Sequence, residues 1–161
     1  MAQKTSNTIH YQINRIEELE IHVPFLPDEI TDHFDRDRLD FGFSFDYVWD
    51  LEENLFSVVI EVVYLYVLDN EQEELLRFSG QIEYKITDLV KFIDIRQKEI
   101  KLPEEILGIL TGIAISTIRG MIATRTFGKF QGDLYIPILN PMKVVNQYLK
   151  NNASEEEVIN Q

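Results

Sequence analysis

The chain has 161 residues, of which 45% are hydrophobic, so it is long enough to fold as one domain with a core. It contains no cysteine, which excludes disulfides, a thiol nucleophile and a cysteine-ligated metal site. Its net charge of -13 disfavours nucleic acids and anionic membranes as partners, and it either attracts a basic partner or keeps an apolar surface soluble.

The amino-terminal region predicts a loose polar start followed by a strand. Residues 1–7 are polar, and the first twelve residues lack the apolar run of a signal peptide, which favours a cytoplasmic location. Strand periodicity then runs from Ile9 to Val23, and we expect a bulge at the Glu17–Glu18 pair.

A charged connector follows, from Asp28 to Asp40. Four of its side chains could suggest a metal site: Asp32, His33, Asp35 and Asp37. The connector lacks the mid-loop glycine and the terminal glutamate of an EF-hand calcium loop, so a solvated loop is the preferred interpretation and no metal is expected.

Three further strands are predicted next. The first has the clearest alternation in the chain, with an apolar face made of Leu39, Phe41, Phe43, Phe45, Tyr47 and Trp49. Residues 56–68 are apolar on both faces and predict a central strand, and residues 76–86 alternate again around Gly80, which suggests a bulge or a close backbone contact. Because short turns at residues 50–54 and 69–73 join these strands, an antiparallel meander of four strands is expected.

Two helices are predicted after the strands. Residues 88–102 are amphipathic and predict a short helix, and Pro103 can open a long one. Small residues recur at every fourth position of the long helix, at Gly108, Gly112, Ser116 and Gly120. This spacing places them on one face, where another backbone can approach closely.

Three arrangements would cover this apolar helix: a membrane span, a helix buried within its own domain, and a helix packed on its own sheet and on a second copy. Its borderline length and the charge of Arg119 argue against a span, and Arg119 is expected to be ion-paired or to reach the surface. A chain this short offers one sheet as cover, so we favour the third arrangement, with the four small residues at an oligomer interface.

The carboxyl-terminal part predicts an extended segment and a last helix. Pro137 excludes helix around residues 134–139, Asn140 is a good N-cap, and the helix is expected from Met142 to Lys150. Residues 151–161 are polar and acidic and predict a disordered tail. Strands followed by helices are typical of an α+β fold, so we expect a single domain over residues 1–150.

The search for chemistry indicates a binding protein. The chain has no phosphate-binding glycine loop, no nucleophile elbow and no HExxH motif, and its three histidines lie near strand ends or in loops, so neither enzymatic activity nor a cofactor is expected. The apolar surface exceeds what one sheet with few helices can cover, which implies a large subunit interface or an apolar groove.

An apolar trough is expected between the last helix and the aromatic strand. It would be lined by some of Leu39, Phe41, Phe43, Phe127, Tyr135, Ile136, Leu139, Val145 and Tyr148, with the alternative that the strand aromatics pack wholly inside.

The order of these features resembles the SecB and SecB-like family of export chaperones from about Thr8 to Lys150. The resemblance lies in the aromatic-Gln-Ile-x-Arg-Ile run at residues 11–16, in Arg119, in the sequence ATRTFG at 123–128 and in the proline segment and last helix at 135–149.

The resemblance implies an ATP-independent holdase that binds unfolded polypeptides and assembles as a homotetramer, a dimer of dimers. It also implies contact with the SecA motor through Glu20 and Leu75. Pro24 and Arg77 stand where the family has acidic residues, which puts that contact in doubt. Related proteins guard antitoxins, so a dedicated subunit for one partner is the alternative function, and a small-ligand carrier or enzyme ranks third.

Overall fold

The computed structural model describes residues 8–24, 30, 34–68, 71–97, 99–129, 134 and 136–159, with side chains as far as residue 151. Within these residues, a four-stranded antiparallel sheet carries two α-helices on one face. The elements are β1 (Tyr11–His22), β2 (Leu39–Asp50), β3 (Leu55–Leu68), β4 (Glu71–Ile86), β5 (Ile93–Asp94), β6 (Glu99–Ile100), α1 (Glu104–Thr126) and α2 (Pro141–Ile159). The predicted α+β class is confirmed.

The strand order is β1-β4-β3-β2, so the predicted meander holds only for β2, β3 and β4. β1 pairs with β4 instead of with β2, its neighbour in sequence. The physical reason is the connector between β1 and β2, which is far longer than a hairpin turn and therefore does not force the two strands together. β1 and β2 consequently form the two edges of the sheet.

β1 is an irregular edge strand. Its pairing with β4 shifts register between Ile13 and Arg15 and again between Glu18 and Glu20. The predicted irregularity near Glu17–Glu18 is therefore found one residue further on, and a second bulge lies nearer the start of the strand. Bulges of this kind twist an edge and interrupt its row of free backbone groups.

The hydrophobic core lies between the sheet and α1. Even-numbered residues of β3, and those of β4 from Leu76 onward, point into it, so the period-2 pattern of the sequence translates directly into one buried face. The hydroxyl of Tyr84 donates to the carbonyl of Leu110 at 2.7 Å, which ties α1 to the sheet. A Cβ built at Gly80 would lie 2.6 Å from Cδ1 of Ile118, so the expected close contact at Gly80 is confirmed.

α1 begins where the sequence predicts. The carbonyl of Pro103 accepts from the amides of Ile106 and Leu107, and Glu104 and Glu105 lie in the first turn, where the helix dipole favours carboxylates. The helix is long and apolar enough to cross a membrane by length and composition, a test that the core helix of a soluble protein also passes.

The short helix predicted for residues 88–102 is wrong. This segment forms a 3-10 turn over Leu89–Phe92 and then the small hairpin of β5 and β6. Asp94 explains the outcome, because its carboxylate accepts the amides of Arg96 and Gln97 inside the turn and pairs with Lys101 at 2.6 Å. Side-chain bonds to nearby amides favour turns over helices.

α2 begins as predicted and ends later. Asn140 Oδ1 accepts the amide of Met142 at 3.0 Å and that of Lys143 at 3.3 Å, which is the expected N-cap. The helix then continues to Ile159, through residues that the sequence analysis assigned to a disordered tail. These residues contain no helix breaker, so a helix already packed at its start can propagate through them.

Candidate functional site

The candidate site is an aromatic row on β2, defined here as Phe41, Phe43, Phe45 and Tyr47. Neighbouring ring centroids are 6.3 Å apart for Phe41 and Phe43, 6.1 Å for Phe43 and Phe45, and 5.4 Å for Phe45 and Tyr47. Alternate residues of a strand point to the same face, so the four rings lie side by side on the face that carries the helices. The row spans about 20 Å, since each strand residue rises roughly 3.4 Å.

Tyr148 of α2 covers one end of the row. Its ring lies 5.1 Å from that of Phe45 and 4.9 Å from that of Tyr47. Its hydroxyl reaches past the rings and donates to Asp46 Oδ1 at 2.7 Å. α2 is therefore held against β2 by an aromatic cluster and by one polar contact at the strand edge.

The covered end of the row belongs to the core. Tyr47 is only 4% exposed, shares a 2.7 Å hydrogen bond with the hydroxyl of Thr111, and packs on Phe56. Burial disfavours the phenolate and raises the pKa of Tyr47 to about 12, although the bond to Thr111 lowers it slightly. Tyr47 is thus a structural anchor of the row and not a surface for a ligand.

The other end of the row meets the connector. Phe41 packs against Tyr64 with centroids 5.3 Å apart, and Phe34 stacks on Tyr66 at 5.6 Å. The amide of Asp35 donates to the hydroxyl of Tyr66 at 2.9 Å. Both ends of the row are therefore held by aromatic contacts, and its three phenylalanines, Phe41, Phe43 and Phe45, are half-buried.

A strap of residues 136–140 is tied to α1 by Arg119. The guanidinium donates from Nε to the carbonyl of Ile136 at 2.8 Å and from Nη2 to that of Pro137 at 2.7 Å. Arg119 thus has a structural role, as expected, but its partners are backbone carbonyls in place of an acidic side chain. The strap lies antiparallel beside α1, with Leu139 half-buried and Ile138 95% exposed.

The structure brings only part of the predicted trough together. Leu39, Phe41 and Phe43 are half-buried on one face of β2, and Tyr148 reaches that face at Phe45. Ile136 and Val145 are fully buried, so the prediction that they line the trough is wrong. The strap fixes Ile136 against the core, and Val145 lies on the buried side of its helix.

Phe127 is also misplaced in the predicted trough. It is 79% exposed at the end of α1, where Arg125 pairs with Glu18 of β1 at 2.9 Å. β1 and β2 lie at opposite edges of the sheet, so Phe127 is not brought to the aromatic row. Tyr135 lies outside the described residues.

Sequence reasoning missed Phe45, Tyr47 and Asp46 as parts of the site. The two aromatics were available from the alternation of β2, since they share its face with Phe41 and Phe43. Asp46 gave no such signal, because its role depends on Tyr148, which is 102 residues away in sequence.

The stripe of small residues on α1 is divided in two. A Cβ at Gly108 would collide with Met142, and one at Gly112 would lie 3.1 Å from Cγ of Pro141, so α2 of the same chain covers this half. Gly108 is buried there, which removes it from the predicted oligomer interface. Ser116 and Gly120 stay exposed, and for them the interface remains a prediction.

The two predicted motor-contact residues differ in accessibility. Glu20 is exposed on the sheet face opposite the helices. Leu75 is fully buried at a register shift between β3 and β4, where Tyr64 pairs with Leu76 and Leu65 pairs with Glu74. The structure therefore leaves Leu75 no surface for a partner.

The acidic connector shows no metal site in its described part. Asp35 Oδ1 accepts the amide of Asp37 at 3.0 Å, which caps a 3-10 turn over Arg36–Arg38. No group of three or more metal-ligating side chains is found among the described residues, and Asp32 and His33 lie outside them.

Further apolar side chains are exposed on β1 and on α1. Ile13 and Ile16 are 48% and 49% exposed, and Ile109 is 45% exposed. Ile13 and Ile16 pair with Tyr84 and Ile82, whose side chains are buried, so both isoleucines point to the helix face. α1 does not cover them, which leaves apolar area at this edge of the layer.

Solved structures with a similar fold include a SecB-like chaperone of Mycobacterium tuberculosis in complex with an antitoxin peptide. It is 16% identical over 80% of this chain and 90% of that chain, with a TM-score of 0.49. A protein of unknown function from Streptococcus agalactiae is 11% identical over 81% of this chain and 99% of that chain, with a TM-score of 0.38. No protein-family model and no curated protein matches the chain. At these levels of likeness, function has to be argued from the surfaces of the chain itself.

Proposed function

We propose that the protein is an ATP-independent holdase chaperone that binds unfolded polypeptides along the aromatic row. The observation that carries this proposal is that three rings of the row, those of Phe41, Phe43 and Phe45, are half-buried. Aromatic rings offer large apolar area without demanding one partner sequence, which suits clients of irregular sequence. The net charge of -13 keeps a protein with such a surface soluble.

The competing proposal is a dedicated interaction subunit that guards one partner, such as an antitoxin. The short length of the row favours it, because about 20 Å of strand contacts only some seven residues of an extended chain. A panel of unrelated denatured clients separates the two proposals, since a dedicated subunit holds one client and ignores the others.

Assembly into a homotetramer, a dimer of dimers, extends the proposal. Ile13 and Ile16 on β1, together with Ile109, Ser116 and Gly120 on α1, offer exposed surface for a second copy. We place the protein in the cytoplasm, without membrane insertion and without nucleic acid as partner. A contact with SecA would rest on Glu20 alone, since Leu75 is buried and Arg77 is paired with Glu61 and Glu74.

The test is suppression of aggregation without nucleotide. A chemically denatured client is diluted into buffer with and without the protein, and light scattering is followed. Phe43→Ser should weaken suppression, because it removes the half-buried ring at the centre of the row. Ile138→Ser is the matched control, since it removes an apolar side chain that is 95% exposed and outside the row.

Circular dichroism and sizing establish that both variants fold and assemble like the parent. Full suppression by a correctly folded Phe43→Ser variant would overturn the assignment of the row as the client site. Suppression of one client only would favour the dedicated subunit.

A further inference from the structure

The free edge of β2 carries two side-chain caps. The amide of Phe41 donates to Asp40 Oδ1 at 2.8 Å, and the amide of Tyr47 donates to Asp46 Oδ1 at 2.8 Å. In an antiparallel pair, alternate residues direct their backbone groups away from the partner strand. β2 pairs with β3 without a register shift, so the amides of all odd-numbered residues between these two also point to the free edge.

Between the two caps, the described residues leave two edge amides without a side-chain cap. Phe43 and Phe45 follow Gly42 and Ser44, and within the described residues neither of their amides has a side-chain cap like those of Phe41 and Tyr47. A Cβ at Gly42 would approach nothing closer than Val63, at 3.8 Å, so this part of the edge is uncrowded. Among the described residues, the result is a short window of unpaired backbone beside the rings of Phe43 and Phe45.

We infer that an extended client segment adds to this window as a fifth strand, and that Asp40 and Asp46 select segments with basic residues at both ends. The inference rests on the proposed holdase function and names the clients that the row prefers. Backbone bonds to Phe43 and Phe45 would supply affinity, as in other cases of strand addition. Alternate side chains of the client would then lie on the aromatic row.

The register defines the client sequence. A segment of seven residues, antiparallel to Asp46 through Asp40, places positions 2, 4 and 6 on the helix face beside the rings and positions 1 and 7 opposite the two carboxylates. The preferred segment is therefore basic, apolar, any, apolar, any, apolar, basic. A carboxylate has several acceptor sites, so each aspartate can cap its amide and still pair with a cation.

The same aspartates disfavour a second copy as occupant. If two β2 edges paired antiparallel with Phe43 opposite Phe43, Asp40 of each copy would lie opposite Asp46 of the other. Like charges directly opposite one another destabilise a strand pair. The charge of the edge thus repels its own copy and complements a basic segment.

The test uses a fluorescein-labelled peptide, Lys-Leu-Ser-Leu-Ser-Leu-Lys, and anisotropy with the unmodified protein. N-methylation at positions 2 and 4 blocks the amides that face β2, and N-methylation at positions 3 and 5 is the matched control, because those amides face solvent. The edge-facing methyl groups should weaken binding at least about tenfold, since two hydrogen bonds are lost, and the control should bind as the parent peptide does.

A second arm tests the charges. Exchanging both lysines for glutamates should weaken binding to the parent protein roughly fivefold or more at low salt, and the difference should shrink as salt rises. The double variant Asp40→Asn and Asp46→Asn keeps an oxygen acceptor at each cap and should lose this preference while it binds an uncharged peptide normally.

Each remaining outcome decides the inference. Equal binding of both N-methylated peptides, with client holding intact, would overturn strand addition and leave the holdase function standing. Failure of all peptides and of denatured clients would overturn both proposals. Dimerisation of the double variant through β2, with loss of peptide binding, would show that the edge is made for a second copy.

Discussion

The three glycines of α1 offer a test of what covers this helix. Each is replaced by alanine in turn: Gly108, Gly112 and Gly120. The higher helix propensity of alanine should stabilise the helix by about 1 kcal/mol in every case. Their surroundings differ: a Cβ at Gly120 has no heavy atom within 4 Å, one at Gly112 lies 3.1 Å from Cγ of Pro141, and one at Gly108 collides with Met142. The gain in helix propensity is the same for all three variants, so differences between their free energies of unfolding measure the packing around each glycine.

The expected changes in the free energy of unfolding follow from these distances. Within a single protomer, Gly120→Ala should be stabilising by about 1 kcal/mol, which raises Tm by roughly 2–4 °C in a chain of this size, and the subunit interface proposed for Gly120 would reverse that sign. Gly112→Ala should leave the free energy of unfolding nearly unchanged, because Pro141 has to move by a few tenths of an ångström and this offsets the gain in helix propensity. Gly108→Ala should be destabilising overall, because overpacking costs roughly 1–3 kcal/mol against the same gain.

The assay is urea unfolding at two protein concentrations, with sizing by light scattering. The order Gly120, Gly112, Gly108 from most to least stable should appear at the concentration where light scattering shows single protomers. Equal stabilisation of the Gly108 and Gly120 variants would refute the packing argument. A Gly120→Ala variant that is less stable, sizes smaller and depends on concentration would instead place Gly120 in a subunit interface.

Further expectations concern the contacts around the row. Tyr148→Phe should lower the free energy of unfolding by at most about 1 kcal/mol, because it removes one exposed hydrogen bond to Asp46. Tyr148→Ser should lower it by roughly 2 kcal/mol or more, because the whole ring is removed. The midpoints of urea unfolding distinguish the two variants. Arg119→Ala should expose the strap to proteolysis and cost roughly 1–3 kcal/mol, because two backbone carbonyls lose their donor, and limited proteolysis beside Arg119→Lys checks this. Stability should fall as pH rises from about 10 to about 12, because Tyr47 keeps its proton in the folded chain up to a pKa of about 12 and an exposed tyrosine loses it near 10. Burial also raises the pKa of Tyr84, so unfolding at pH 8, 10 and 12 should show the loss, and Tyr47→Phe should reduce it; a flat profile would contradict the assignment.

The elements that the sequence predicts well are those specified by local chemistry. Six alternating apolar residues predict β2, and Pro103 with the two glutamates that follow it predicts the start of α1. The N-cap at Asn140 is equally local, because the capping side chain and the amides it accepts lie within three residues. Residues 88–102 show the limit of prediction from local pattern. Their apolar spacing fits a helix, but the hydrogen bonds that Asp94 accepts from nearby amides stabilise a hairpin turn instead.

The sequence predicts which residues of β2 share the face of the candidate site, but not which of them remain accessible. The alternation of β2 places Phe41 and Phe43 on one face, but it does not say which rings α2 covers. Tyr47 is buried because Thr111 and Tyr148 reach it from two helices, whereas Phe43 is half-buried between the rings of Phe41 and Phe45. Val145 is the opposite case, a residue predicted to line the trough that is in fact buried. The helical pattern alone does not distinguish the side of α2 that faces α1 from the side that faces β2.

By itself the sequence determined the α+β class, the three hairpin-connected strands and the two helix starts, because each depends on periodicity or on residues a few positions apart. Only the tertiary structure decided that β1 lies beside β4, that Met142 and Pro141 cover half of the small-residue stripe, and that Asp40 and Asp46 cap the edge of β2. These outcomes depend on which distant segments meet and on which strand is left at the edge of the sheet. Local propensity carries no information about either.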